Sequence, residues 1–180
     1  VIFFLSRKQT RAGQLGRVGI GLGLIILALQ LIVEAAAPIT HAQGVKVLFA
    51  SLTGDILLDA LMGAVFAMVS YSSLAAVLLT ATLAGAGVIS LPVAIGLVIG
   101  ANIGSGVLAF LSTSMQNAAG RQVALGSLLY KLIGLLLIIP VLDPLAHWMD
   151  SLDFSPQEVV IGFHLLYNTA RCLCCCPLSP

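Results

Sequence analysis

Residues 60–120 read ALMGAVFAMVSYSSLAAVLLTATLAGAGVISLPVAIGLVIGANIGSGVLAFLSTSMQNAAG, without a single Asp, Glu, Lys or Arg. An apolar helix of ~20 residues crosses a bilayer, so this run is too long for one span and holds two or three elements. Polar and flexible residues interrupt it. Its first part, 61–86, is broken by Ser70-Tyr71-Ser72-Ser73. Its second part, 91–111, is broken by Gly100-Ala101-Asn102-Ile103-Gly104-Ser105-Gly106. Between the two, Gly85-Ala86-Gly87 and Pro92 mark a turn.

The rest of the chain has the same character. Of 180 residues, 59% are hydrophobic and 8% charged, and the mean hydropathy is +1.11. A soluble domain carries about 25% charged residues. This chain cannot cover its surface with polar groups, so it reads as an all-α integral membrane protein and not as a soluble enzyme. Its net charge of +1 offers no nucleic-acid footprint. Its 18 glycines and 6% aromatics suit helices that approach closely.

Outward from the uncharged run, residues 1–17 read as the end of a truncated helix followed by a basic loop with Arg7, Lys8, Arg11 and Arg17. Such a loop beside a span marks the cytoplasmic side. A membrane domain then occupies 18–176, with spans at 18–37, 91–111, 122–139 and 159–175, a hairpin at 57–86, and a tail at 177–180. The segment 38–59 should lie outside, with a short helix near 45–52. Val1 stands where Met would begin a protein, and the chain ends in Cys172-Leu173-Cys174-Cys175-Cys176. Both features predict a fragment. The C-x-C-C-C spacing is not a zinc pattern, and no metal site is expected.

Parity leaves two topologies. If 61–86 crosses once, Arg121 falls outside and the acidic segment 143–158 falls inside. If 61–86 is a re-entrant hairpin, the basic loop, Arg121 and Arg171 are all cytoplasmic and the acidic segment is outside. The second arrangement follows the positive-inside tendency throughout.

Backbone that is not helical within hydrocarbon must be buried in protein or line a wet cavity. At the tip of such a hairpin, Ser70, Tyr71, Ser72 and Ser73 could bind an ion, with the amides of the second half-helix facing an anion. Equally, the serines could back-bond to their own helix or join helices. At the second break, unwound carbonyls with Asn102, Gly104 and Ser105 could hold sodium. Alternatively Gly96, Gly100 and Gly104 form a packing face. Lys131 lies in mid-span, where an ammonium needs a partner. It either pairs with an acid such as Asp55 or Asp59, or draws an anion along a pathway. No phosphate-binding glycine loop or nucleophile elbow is present, so no enzyme is expected.

These residues, taken in order, resemble a known family. Ser70-Tyr71-Ser72-Ser73, then Gly87-Val88-Ile89-Ser90-Leu91, Gly100-Ala101-Asn102-Ile103-Gly104-Ser105 and Arg121-Gln122-Val123-Ala124-Leu125 look like the second repeat of the bacterial sodium/phosphate cotransporters, relatives of the type II sodium-phosphate cotransporters. The family pattern runs Q-S-S-S-A, G-A-N-I-G-T-T and R-R-x-A-L-x-x-L-L-F-N. Here Ser70 replaces Gln, Tyr71 replaces Ser, Leu74 replaces Ala, and Tyr130-Lys131 replaces Phe-Asn.

The resemblance implies half of an inverted-repeat transporter, a helical bundle with a re-entrant hairpin and a broken transmembrane helix. It implies sodium-dependent transport of inorganic phosphate across the bacterial inner membrane, with sodium as coupling ion and no other cofactor. Ser72 and Ser73, with Ser70 and Tyr71, would bind phosphate. Asn102, Gly104 and Ser105 would bind the ion. The missing first repeat, or a second copy, would complete the site within the lipid bilayer. The alternatives are transport of another small anion, or a scaffold or sensor subunit that does not transport.

Overall fold

The computed structural model describes residues 11–44, 47, 55–114, 118–151 and 153–175. The short helix expected near 45–52, apart from residue 47, and the ends at 1–10 and 176–180 lie outside these residues. Among the described residues the secondary structure is entirely helical. The helices are α1 (Arg11–His41), α2 (Ile56–Val69), α3 (Ser73–Gly85), α4 (Leu91–Thr113), α5 (Ala118–Ile138), α6 (Leu142–Asp150) and α7 (Pro156–Cys175). A 3-10 turn, Ile139–Val141, joins α5 to α6.

Local chemistry explains most of the boundaries. Asp55 caps α2, its Oδ1 accepting from the amides of Leu57 and Leu58 at 2.9 and 3.2 Å. The turn after α3 is a Schellman motif. Gly87 adopts a φ of 68°, and the amides of Gly87 and Val88 donate back to Ala84 and Leu83. Pro92 stands in the first turn of α4, where a missing amide costs nothing. Ser155 and Glu158 form a capping box at the head of α7. There the Ser155 hydroxyl and amide hold the Glu158 carboxyl below the usual carboxylate range. The first expected span, 18–37, lies within α1, which continues through Pro38 to His41.

Among the described residues, three helices are long and apolar enough to cross a membrane: Gly13–Ile32 within α1, Leu91–Thr113, and Ala118–Val141. The last expected span, 159–175, is helical throughout and long enough. It is not among the three, because Glu158, His164, Asn168 and Arg171 lower its hydropathy.

The α2–α4 contact organises the bundle. Asp59 lies against Gly96, Ala60 against Gly100, and Ala64 against Gly104, so the two helices run parallel. A Cβ on Gly63 would overlap the Leu97 carbonyl, and one on Gly100 would overlap the Ala60 carbonyl. Only glycine allows backbones this close. The core beside this seam consists of Ala67, Val77, Ala81, Leu83, Ile95, Leu97, Val98 and Ile99, closed by Val160 and Phe163 of α7.

This seam corrects one expectation. Residues 100–106 do not break α4, which is continuous from Leu91 to Thr113. The glycines serve packing: unwinding would separate Gly100 and Gly104 from the α2 carbonyls they touch.

Candidate functional site

The arms of the hairpin have 14 and 13 residues. At 1.5 Å per residue each measures roughly 20 Å, short of the ~30 Å hydrocarbon thickness. The tip forms in three residues. The amides of Tyr71 and Ser72 donate back to Met68 and Ala67, closing α2 with a second Schellman motif. Tyr71 takes the left-handed position, φ 52°, normally filled by glycine. Its side chain is 78% exposed. Ser72 then caps α3, its Oγ accepting from the Ala75 amide at 3.1 Å.

One residue therefore ends the first arm and starts the second. The Ser72 hydroxyl sits at the first-turn amides of α3, and the Ser70 hydroxyl lies 3.0 Å from the Ser72 carbonyl. Ser70 spends its proton inward, on the Phe66 carbonyl at 2.7 Å. Ser72 and Ser73 are half-buried. Because its Oγ acts as acceptor in the cap, Ser72 keeps its own O–H to donate. An open, mostly apolar cleft of about 280 Å³ lies beside the tip, between Ile32 and Ala35 of α1 and Phe66, Ser70, Ala75 and Leu79.

The other expected residues lie on α4 and α5. Asn102 is buried and donates to the Val98 carbonyl at 3.1 Å. Ser105 donates to the Asn102 carbonyl at 2.7 Å and accepts from Lys131 Nζ at 2.7 Å. Gly104 is packed against Ala64, within continuous helix. With α4 unbroken, the oxygens that Asn102 and Ser105 can offer an ion are those of their side chains.

Lys131 meets Ser105, not Asp55 or Asp59, which one of its two readings offered as partners. The register explains this: Asp59 lies beside Gly96, nine residues and roughly 14 Å before Ser105 along α4. Carried forward, the same register sets Ser70 abreast of about residue 110, roughly 7 Å beyond Ser105. The hairpin tip and the Lys131–Ser105 pair are thus separate groups at neighbouring depths.

The structure adds residues that the motifs did not reveal. Asp59 is fully buried, and both its carboxylate oxygens lack a hydrogen-bond partner among the described residues. Arg171 lies over the rings of Tyr130 and Tyr167, 4.8 and 5.3 Å from their centroids. Asn168 donates to the His164 carbonyl at 2.8 Å and lies 3.3 Å from His164 Nδ1. The four-residue spacing of Tyr167 and Arg171 was visible in the sequence, but their convergence with Tyr130 was not.

No solved structure matches the chain. YjbB of Salmonella typhimurium, named "Putative inorganic phosphate export protein", is 68% identical over 179 residues, covering 99% of this chain and 33% of that protein. YjbB of Escherichia coli is 68% identical over 177 residues, covering 98% of this chain and 33% of that protein. YqeW of Bacillus subtilis is 27% identical over 180 residues, covering 99% of this chain and 58% of that protein. The chain thus spans a third of the length of the YjbB proteins it matches. The Na+/Pi-cotransporter family model matches residues 38–166, more than half of the sequence, and the chain belongs to that family.

Proposed function

We propose that this chain is the part of a sodium-coupled inorganic phosphate transporter that supplies one of its two serine-tipped re-entrant hairpins, in a bacterial inner membrane. The observation that carries this reading is the double role of Ser72. It closes one arm and caps the other, so that hydroxyls and the first-turn amides of α3 meet at one tip. Amide donors at a helix N-terminus favour an anion. Ser72 and Ser73 hold phosphate, with Ser70 fixing the turn and Tyr71 covering it. Sodium offsets the charge, and Asn102 offers it a side-chain oxygen, whereas Ser105 is taken by the Lys131 ammonium. A first repeat, or a second copy, supplies the opposing hairpin, and alternating access moves one repeat against the other. The export named for the YjbB relatives supports outward flux.

The test is radiolabelled phosphate flux by the full-length protein in proteoliposomes, with and without a sodium gradient. Ser72→Ala and Ser73→Ala should each lower flux by about tenfold or more, as expected for a lost hydrogen bond to a charged ligand. Flux at the wild-type level in both variants refutes the site. Flux insensitive to sodium refutes the coupling. Competition by small carboxylates as strong as by phosphate itself points to a different anion.

A further inference from the structure

Where α4, α5 and α7 meet, five side chains form a cluster. Lys131 donates to Ser105, and its stem lies over Gly106. Arg171 is braced between the rings of Tyr130 and Tyr167. The Tyr130 hydroxyl donates to the Arg171 carbonyl. Gly134 leaves room for this: a Cβ there would stand 2.8 Å from the Tyr167 hydroxyl and 3.3 Å from the Arg171 side chain. Gly134, which packs against the Arg171 side chain, stands three residues after Lys131 on the same face of α5.

Among the described residues neither cation has an acidic partner. Arg171 Nε is buried without a hydrogen-bond partner among the described residues. The partner shown for Lys131, the Ser105 hydroxyl, is uncharged. α4 and α5 contain no Asp or Glu, and α7 contains only Glu158. Glu158 precedes Arg171 by thirteen residues, roughly 20 Å along the helix. Asp59 lies toward the other end of α4. Two cations held together within a membrane bundle are costly unless an anion joins them. An ammonium beside a guanidinium suits a tetrahedral oxyanion, because the fork binds two oxygens and the ammonium binds another.

We infer that Lys131 and Arg171 form a binding station for inorganic phosphate, at a depth neighbouring the hairpin tip, so that the ion passes between hydroxyl and cationic sites during transport. This rests on the phosphate-transport reading above. The experiment is equilibrium dialysis of radiolabelled phosphate against the purified full-length protein. Lys131→Met and Arg171→Gln should each weaken binding about ten- to a hundredfold, the range for hydrogen bonds to charged groups. Lys131→Arg, which keeps the charge, should stay near the wild type. A second measurement needs no variant: saturating phosphate should protect Lys131 of the wild-type protein from an amine-reactive reagent, read by peptide mass spectrometry.

Each result decides something. If the wild type binds no phosphate, the transport reading fails and takes this station with it. If binding depends on Ser72 and Ser73 but not on Lys131 or Arg171, and phosphate does not protect Lys131, the transport reading stands and the station is overturned. In that case an acid from another part of the protein neutralises the pair.

Discussion

Asp59 is fully buried one turn inside the hairpin, with its Cβ against Gly96 and both oxygens unpartnered among the described residues. The N-cap one turn earlier, Asp55, is exposed and satisfied by two amides. Two carboxylates four residues apart therefore have opposite environments. An unpaired buried carboxylate lowers stability, and removing it leaves nothing unsatisfied behind. Asp59→Ala in the full-length protein should raise the unfolding temperature in detergent, corresponding to about 1–3 kcal/mol. A lower temperature means that a group elsewhere in the protein pairs with Asp59. The sequence placed Asp59 at the edge of an external segment, because a charge in a linear pattern reads as solvated. Its burial depends on Gly96, 37 residues later, and no local pattern contains that neighbour. Tyr71 has a similar history. The serine-rich turn was legible, but the left-handed Tyr71 at its centre was not, since tyrosine is a poor residue for that conformation.

The pairing of α2 with α4 sets the geometry of the hairpin. Gly63 and Gly100 each touch a facing carbonyl where no Cβ fits. Gly100→Ala must push the helices apart, at a cost of about 1–3 kcal/mol as for other overpacked sites. Because that motion tilts α2, phosphate flux should fall as well. Gly126 of α5 is the control: it is exposed, with nothing within 4 Å of its Cβ position. There alanine should be neutral or stabilising by about 0.5–1 kcal/mol, from helix propensity alone. Thermal unfolding of both variants checks the contrast, and equal stability would remove the close-packing argument. The glycine-rich stretch shows where sequence reading stops. Glycine permits both unwinding and close approach, so the sequence allowed a broken helix or a packing face. Ala60 and Ala64 decide between them, because small residues opposite the glycines let the backbones meet.

At the scale of the molecule, the register of α2 on α4 puts Asp55, Gly85 and the start of α4 at one end of the bundle and the serine tip toward the other. Gly85 touches Gln157, which brings the head of α7, with Glu158, to the first end. Arg121 and Ser114 line one cleft at the α4–α5 corner, at the opposite end. Acidic and basic residues thus separate along the bundle axis, as the positive-inside tendency asks when the tip faces the cytoplasm. Parity alone had left single crossing and re-entry open, and arms of roughly 20 Å favour re-entry. The two topologies differ at two exposed residues that bracket the hairpin, Asp55 and Ser90. With Cys172, Cys174, Cys175 and Cys176 replaced by serine in the full-length protein, Asp55→Cys and Ser90→Cys should both react with an impermeant maleimide added to intact cells. Labelling of one from outside, and of the other only after permeabilisation, would mean that the hairpin crosses the membrane. Residues 70–73 would then lie inside a single crossing with no re-entrant tip, and the hairpin that the transport reading needs would be absent.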